Sequence, residues 1–366
     1  MKAHRILYSL LFASAIVSVS CNRNNPDDDD ALPTPLVIPA TYSFENVSYS
    51  GQTERLNQTE ELSAYVKTAH QDGVELDLQV MKAMFENTDD NGNGHFTFSS
   101  TKQLKDKCFE PDQALIETYF KDAVTASQST EPGSNGVAGR ILSEDGTESR
   151  LYDANGFEPA QLIEKTIMGA VFYYQATSVY LGADKMNVDN DSIVDGEGTE
   201  MQHHWDEAYG YFGATTDFPA NTEDVRFWAK YCVGRDALIG SNDKLSEALI
   251  RGRASLVADR MDKRNEAIED VRAEWELVCA ATAIHYLNGG VSNLANDYDR
   301  NHELSEAYAF VYGLKYNEGK VISNAQIDEV LALIGDNLYE VSSENLTAAR
   351  DQLAEIYDLT DVKSLL

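Results

Sequence analysis

The sequence predicts an all-α fold of two helical bundles that are related by an internal duplication. Segments that could form strands are scarce, and apolar residues recur at three- and four-residue spacing along most of the chain. A short pattern occurs twice, as HHWDEAYGYFG at 203–213 and as HELSEAYAFVY at 302–312. Two copies of roughly one hundred residues are too long for a short solenoid repeat. We therefore place one bundle at 41–220 and the other at 221–366.

The first forty residues predict a secreted, lipid-anchored protein. Residues 1–20 carry two basic residues, an apolar stretch and then small residues, which is typical of a signal peptide. Cys21 follows directly and resembles the lipidated first residue of a bacterial lipoprotein. Residues 21–40 form a tether rich in proline, and its acidic run Asp27–Asp30 resembles a signal for the outer face of the outer membrane. We expect attachment to the outer membrane facing the cell exterior, with the periplasmic face as the alternative.

The composition restricts the partners. The chain has 366 residues and a formal net charge of −32, with 43% hydrophobic residues. A strongly acidic protein lacks the basic footprint that nucleic acids require, so we expect no nucleic-acid partner. The same charge disfavours direct binding to an anionic membrane surface. The acidic charge suits the binding of a cation or of a basic partner, or it serves solubility alone.

The first half begins with the best strand candidate, Tyr42–Tyr49, and continues with helices. Thr53 is suited to cap the first of them. The connection at Ser129–Gly156 is rich in glycine, serine and acidic residues and is expected to be a long loop or a small hairpin. The remaining periodic segments predict helices over Leu76–Phe85, Ser100–Lys107 and Pro111–Ser127.

Further along the chain, Pro159 is suited to the first turn of a helix. This helix, 159–181, is almost wholly apolar after Ile167 and is expected to be buried. Gly289-Gly290 is expected to end a later amphipathic helix, and Ser323 with Gln326 forms a capping-box pattern. The other predicted helices are Met201–Phe212, Thr222–Ile239, Leu245–Met261, Glu266–Leu287, His302–Tyr312 and Glu344–Asp358.

The duplicated helices carry the candidate ligands. His203 and Glu207, like His302 and Glu306, are four residues apart and therefore share one face of a helix. His204 lies three residues before Glu207 and is an equivalent candidate. Mixed nitrogen and oxygen donors suit iron, zinc or manganese.

Two ligands do not complete a metal site, so a third donor is needed from a facing helix. Glu164, on the apolar helix before the first copy, is one candidate. The alternative is that the histidine–glutamate pairs are hydrogen-bonded core contacts without a metal. Calcium is not expected, because the EF-hand-like loop that starts at Asp89 has Ser100 where a bidentate glutamate belongs.

The segment His204-Trp205-Asp206-Glu207 resembles the HxxE motif of the imelysin-like proteins. These are secreted or lipid-anchored proteins of two four-helix bundles, associated with iron uptake and once classed as metallopeptidases. Their glycine follows the histidine by eight residues and here follows His204 by nine, which leaves His203 as the alternative equivalent. The stretches 165–175, 203–213 and 252–256 resemble more closely a gram-negative lipoprotein family catalogued only as a domain of unknown function, over most of 42–366.

These observations predict an outer-membrane lipoprotein that binds iron or an iron-bearing ligand through His204 and Glu207 and passes it to an uptake system. Zinc is the alternative metal, and an outer-membrane receptor is the expected partner. Two other functions stay open. One is a non-catalytic module that binds a glycan, a peptide or a receptor, with structural histidine–glutamate pairs. The other is a metallopeptidase.

Overall fold

The structure, a computed structural model that describes residues 35–366, is mainly α-helical and has only one small two-stranded sheet among these residues, which confirms the all-α prediction. The predicted signal peptide, Cys21 and the acidic run lie outside the described residues. Within 35–366, no helix is both long and apolar enough to cross a membrane. The helices are α1 Ser50–Lys67, α2 Leu78–Glu86, α3 Gln113–Ser127, α4 Pro159–Ile167, α5 Ala183–Met186, α6 Glu200–Phe212, α7 Trp228–Ile239, α8 Ser241–Val257, α9 Met261–Ser292, α10 Asp297–Gly313, α11 Asn324–Ile334 and α12 Ser343–Ile356.

One small antiparallel hairpin interrupts the helices. Its strands are β1 Gly139–Leu142 and β2 Ser149–Tyr152, with Gly139 opposite Tyr152. They lie in the segment 129–156, where the sequence predicted a loop or a small hairpin. The hairpin is the alternative that is confirmed.

The strand predicted at Tyr42–Tyr49 is wrong, because this segment is irregular and packs through its side chains. The ring of Tyr42 stacks on Tyr209 with 3.7 Å between ring centroids. Its hydroxyl donates to Asp206 Oδ1 at 2.6 Å. Tyr42 therefore anchors the segment before α1 on α6. Helix α1 begins at Ser50, before the predicted cap Thr53.

Three further predictions about helices are wrong in whole or in part. The helix predicted at Thr222–Ile239 begins only at Trp228. Residues 100–107 form only a short 3₁₀ turn, at Lys105–Lys107. Gly289 and Gly290 do not end a helix, because α9 continues through both to Ser292. Side chains of α10, Glu303 and Leu304, fill the space that a Cβ atom would take at these glycines. Here glycine permits close helix packing. The capping box of Ser323 and Gln326 at the start of α11 is confirmed.

The buried centre is formed by α9 and by the apolar helix that begins as α4. Helix α9 packs against α7, α8, α10 and α12. The chain after α4 stays helical but widens into π-helical turns at Met168–Tyr173 and Gln175–Tyr180, so the predicted helix 159–181 is confirmed within one residue. Wider turns of this kind often occur at functional sites.

Each copy of the repeated pattern packs on an apolar helical segment. Helix α6 lies against Gln175–Tyr180, and α10 lies against α9. Helices from both sides of the predicted boundary at 220/221 also contact each other, α4 with α10 and α6 with α8. The duplication and its boundary stay predictions.

Candidate ligand-binding site

The first copy of the pattern forms a histidine–glutamate cluster at the start of α6. A capping box from Thr199 and Gln202 fixes the first turn of this helix. His204 Nδ1 lies 2.9 Å from Glu207 Oε2, whereas His203 Nε2 is 4.0 Å from the same oxygen. His204 is therefore the closer partner of Glu207. We call His203, His204 and Glu207 the first cluster.

The carboxylate of this cluster is held as an anion. Burial acts to raise the pKa of Glu207, but hydrogen bonds from His204 and from the Gln52 amide outweigh it, so the pKa lies below its usual value. Gln52 Nε2 donates to Glu207 Oε1 at 3.0 Å. Among residues 35–366, His203 Nδ1 and His204 Nε2 are buried without a hydrogen-bond partner. The cluster thus retains unsatisfied polar capacity.

The first cluster does not bring together enough donors for a bound metal. In the part of the chain that the structure describes, no group of three or more His, Cys, Asp or Glu side chains is placed to hold a metal ion. Glu164, the third donor that the sequence suggested, lies elsewhere, between Lys67 and Lys165. The residues present therefore do not fit a metal that is held by protein ligands alone.

Asp206 points away from its neighbours on α6 and serves the fold. Its carboxylate and the guanidinium of Arg253 on α8 are both fully buried, with 2.9 Å between Oδ1 and Nε. One residue earlier, the indole of Trp205 lies against Gly252 of α8 and donates to Leu249 O at 2.9 Å. The segments 203–213 and 252–256, which carried the resemblance to a lipoprotein family, thus contact each other.

A cavity of about 210 Å³ opens beside the first cluster, and we call it the first cavity. His203 and Glu207 lie on its wall. Three cations, Arg55, Lys102 and Lys107, face two carboxylates, Glu197 and Glu207. Arg55 is already paired with Asp106 at 3.7 Å, so the lining cations without a carboxylate partner among residues 35–366 are the two lysines, in a chain of net charge −32. Its other lining residues are Ser48, Tyr49, Ser50, Gly51, Gln52 and Tyr180.

The start of α1 adds positive potential to the first cavity. Tyr49, which precedes α1, provides no capping side-chain bond, and the first turn contains no acidic residue. The first amides of a helix carry a partial positive charge and suit an anionic ligand. Lys102 crosses this helix start, because its side chain packs over Gly51. Gln58 and Asn87 hold the Lys102 carbonyl by hydrogen bonds of 2.6 Å each.

Lys107 is less exposed than Lys102. Burial and the nearby charge of Arg55 lower the pKa of its amine. Its ammonium lies 5.8 Å from the ring centroid of Tyr180. Among residues 35–366, neither Lys102 nor Lys107 has a carboxylate oxygen within 4.0 Å. An anionic ligand would relieve the repulsion between Lys107 and Arg55.

The second copy of the pattern lies in a larger polar network around Glu158, whose side chain is 1% exposed. His302 Nδ1 lies 2.6 Å from Glu158 Oε2, and His70 Nε2 lies 3.4 Å from Oε1. His302 Nε2 is 3.6 Å from Glu306 Oε1. Tyr231 donates to Glu306 Oε2 at 3.1 Å. We call His70, Glu158, His302 and Glu306 the second cluster.

Glu164 belongs beside this second cluster. Its carboxylate contacts both Lys67 and Lys165, and Lys165 Nζ also lies 3.8 Å from Glu306 Oε2. Burial acts to raise the pKa of Glu164, but the two lysines lower it well below its usual value. Burial acts to lower the pKa of Lys165, but Glu164 and Glu306 raise it above its usual value. Charged groups are thus buried here as a compensated set.

The His302–Glu158 contact predicts a pH-dependent stability. Burial acts to lower the pKa of His302, but the bond to Glu158 outweighs it and raises this pKa above 6.5. Burial acts to raise the pKa of Glu158, but His302 outweighs it and holds this pKa below 4.5. The histidine contribution is complete below pH 6.5 and is lost as the pH rises through the folded value. The glutamate contribution is complete above pH 4.5 and is lost at lower pH. His302→Gln should therefore lower the free energy of unfolding by about 1–2 kcal/mol between these two values, and by less at higher pH. Urea titrations over a pH series measure this difference.

His70→Gln is the matched control, and its effect on stability should change with pH in the opposite direction. Burial lowers the pKa of His70 below 6.5, so its protonation in the unfolded chain destabilises the fold as the pH falls. Relative to the natural protein, this variant should gain stability on acidification. If the stability of both variants changed with pH in parallel with that of the natural protein, the raised pKa of His302 and the lowered pKa of His70 would be contradicted.

Sequence reasoning missed the residues that other elements bring to these clusters. Arg55 reaches the first cavity from α1 and Lys107 from the 3₁₀ turn at Lys105–Lys107, and no spacing in the chain connects them with Glu207. One signal was present for Lys165. A lysine is almost never fully buried unless it is paired, so a lysine at the head of an apolar helix predicts a buried acidic partner.

Comparison with known proteins places the chain in a family. No curated protein and no solved structure gives a significant match to it. The family model described as "Domain of unknown function (DUF4856)" matches residues 39–360, which is most of the chain. The chain therefore belongs to the DUF4856 family.

Proposed function

We propose that this protein is a non-enzymatic, lipid-anchored protein of the outer membrane whose first cavity captures iron as a small anionic chelate. It would pass this ligand to an uptake system through an outer-membrane receptor. The two lysines of the first cavity that lack a carboxylate partner among the described residues, together with the start of α1, are the observation that carries the proposal. The resemblance of His204-Trp205-Asp206-Glu207 to the imelysin-like HxxE motif supports iron as the cargo.

Local charge favours an anion in this cavity in spite of the acidic chain. At physiological ionic strength the Debye length is about 8 Å, so most of the acidic surface is screened from a ligand in the cavity. Arg55 is already paired with Asp106 at 3.7 Å, whereas Lys102 and Lys107 line the cavity itself without a carboxylate partner in the described part of the chain and act at contact distance. Their attraction therefore dominates once the ligand has arrived.

A chelate also accounts for the small number of protein donors. It brings its own oxygen ligands, so Glu207 and His203 on the cavity wall need only complete the coordination or hold the chelate. The volume of about 210 Å³ is below the roughly 300–1,000 Å³ of pockets for drug-sized molecules. The cavity therefore suits a small chelate such as ferric citrate, or one acidic end of a larger one.

Calorimetric titration of the purified protein with ferric citrate tests the proposal. Lys102→Met should weaken binding at least about tenfold, because it removes one charge-assisted hydrogen bond from an exposed position where folding is not at risk. Glu207→Gln should weaken ferric citrate but not iron-free citrate, because only the iron complex needs the carboxylate. Lys230→Met, outside the first cavity, is the matched control and should bind ferric citrate normally.

Three outcomes would overturn the proposal. They are no binding of ferric citrate, equal affinity for citrate with and without iron, and binding that Lys102→Met leaves unchanged. The glycan- or peptide-binding alternative predicts the first of these. A metallopeptidase would need three protein ligands to a catalytic zinc, and no such group is placed together among residues 35–366.

A further inference from the structure

A second and larger cavity lies next to the second cluster, and we call it the second cavity. Its volume is about 470 Å³, within the roughly 300–1,000 Å³ typical of small-molecule sites. Helices α1, α4, α9 and α10 contribute to its wall together with the start of α7. Its lining residues are Glu60, Lys67, Gln161, Glu164, Lys165, Met168, Val225, Arg226, Phe227, Lys230, Tyr231, Tyr286 and Glu306.

One end of the second cavity suits a carboxylate. Lys67 and Lys165 are occupied by Glu164, and Arg226 is occupied by Glu60. Lys230 differs from these cations, because no carboxylate oxygen of residues 35–366 lies within 4.0 Å of its ammonium.

The start of α7 strengthens this end. Lys230 lies in the first turn of α7, which has no acidic residue and no capping side-chain bond from Phe227. The helix start and the lysine therefore offer positive charge to the same ligand group.

Within residues 35–366, a polar group contributed by α4 to the wall lacks a hydrogen-bond donor. Gln161 is only 6% exposed, and its Oε1 is buried without a partner among the described residues. The amide nitrogen is directed to Glu158 Oε1 at 3.4 Å, which fixes the orientation of the side chain. An amide oxygen only accepts hydrogen bonds, so a ligand hydroxyl or N–H would satisfy it. Leaving such a group unsatisfied destabilises the cavity without a ligand.

Aromatic rings form the remaining wall. Phe227, Tyr231 and Tyr286 line the cavity, and the rings of the two tyrosines lie 6.4 Å apart at an angle of 66°. Tyr231 is held rigid by its bond to Glu306, and the Lys165 ammonium lies 5.4 Å from its ring centroid. Aromatic side chains of this kind combine an apolar body with a polar tip. They suit a ligand ring that is apolar on its face and polar at its edge.

We infer that the second cavity binds an acidic sugar, a uronic acid or the acidic residue of a glycan. The carboxylate would lie at Lys230 and the start of α7, the hydroxyls would serve Gln161 and Glu306, and the ring would pack on Tyr231. An apolar aromatic acid would leave Gln161 unsatisfied, and a neutral sugar would leave Lys230 without a counter-charge. This inference concerns a different cavity and a different ligand from the iron chelate, so each can fail without the other.

The probes are D-galacturonic acid and its trimer, with D-galactose and benzoate as the neutral and the apolar comparison. Saturation-transfer NMR and calorimetry on the purified protein measure binding. Galacturonate should bind at least about tenfold more tightly than galactose, and Lys230→Met should abolish this preference. Lys230 is exposed, so this variant should fold normally, which circular dichroism checks.

Two further variants separate the contributions. Gln161→Met keeps the side-chain volume but removes the acceptor, so it should weaken both sugars and leave benzoate unchanged. Lys102→Met, in the first cavity, is the matched lysine control and should bind galacturonate normally. The inference is overturned if galacturonate shows no binding at concentrations up to about 10 mM, which corresponds to a binding free energy near −3 kcal/mol. It is also overturned if galactose binds equally well, or if Lys230→Met behaves like Lys102→Met.

Discussion

Replacing Asp206 with alanine is expected to lower the free energy of unfolding by about 3–5 kcal/mol. The Asp206 carboxylate and the Arg253 guanidinium are both fully buried, so the change leaves a buried charge without its partner. The same substitution removes the acceptor of the Tyr42 hydroxyl. The segment before α1, which Tyr42 anchors, should therefore loosen as well. Equilibrium unfolding in urea measures the loss, and hydrogen exchange over 42–49 measures the loosening.

Asp270→Ala is the matched control for this prediction. Asp270 pairs with Arg251, which lies two residues before Arg253 on the same helix, but its side chain is 57% exposed. An exposed ion pair contributes only about 0–1 kcal/mol, because water and salt screen it. Adding Arg253→Met to Asp206→Ala should recover part of the loss, since no buried charge then remains. Equal effects of the two aspartate changes would contradict our account of the buried pair.

Gly252→Ala is expected to destabilise the protein by about 3 kcal/mol, the upper end of the usual range for overpacking. A methyl group at Gly252 would overlap the six-membered ring of the Trp205 indole. That ring has little freedom to move, because Trp205 is fully buried and its nitrogen is bonded to Leu249 O. Thermal and urea unfolding measure the effect, and near-ultraviolet circular dichroism reports the displaced indole.

Gly234→Ala is the corresponding control in a helix interior. Gly234 lies in the middle of α7 and is exposed, and among the described residues no neighbouring atom lies within 4 Å of the position that a Cβ atom would take there. Alanine should stabilise this helix by about 0.5–1 kcal/mol through its better helix propensity. If both glycine changes altered stability in the same direction and by the same amount, close packing of Trp205 on Gly252 would not be the cause.

Local sequence patterns were sufficient to predict the structure where it depends on residues that are neighbours in the chain. The helix from Pro159 and the capping box at Ser323 form as predicted, because helix periodicity and caps are properties of a few consecutive residues. The pairing of His204 with Glu207 also follows from helix geometry. The sequence left open which histidine was the partner, and a distance of 2.9 Å against 4.0 Å decided it.

Predictions failed where distant contacts override local preference. Gly289 and Gly290 have the composition of a helix end, but side chains of α10 occupy the space beside them and α9 continues. Tyr42 belongs to a segment with the composition of a strand, but its side chain docks on α6 instead of joining a sheet. In both cases tertiary packing contributes more free energy than intrinsic propensity.

The sequence by itself determined the all-α class, most of the helices and the placement of one histidine–glutamate pair in each copy of the pattern. Tertiary structure decided which groups meet these pairs. Helix packing turns Asp206 toward Arg253 and away from Glu207. It places Glu164 beside the second cluster. It also brings Lys102 and Lys107 to the start of α1. The reason is that a helical period fixes only which residues share a face, whereas the identity of the facing element depends on how the helices pack.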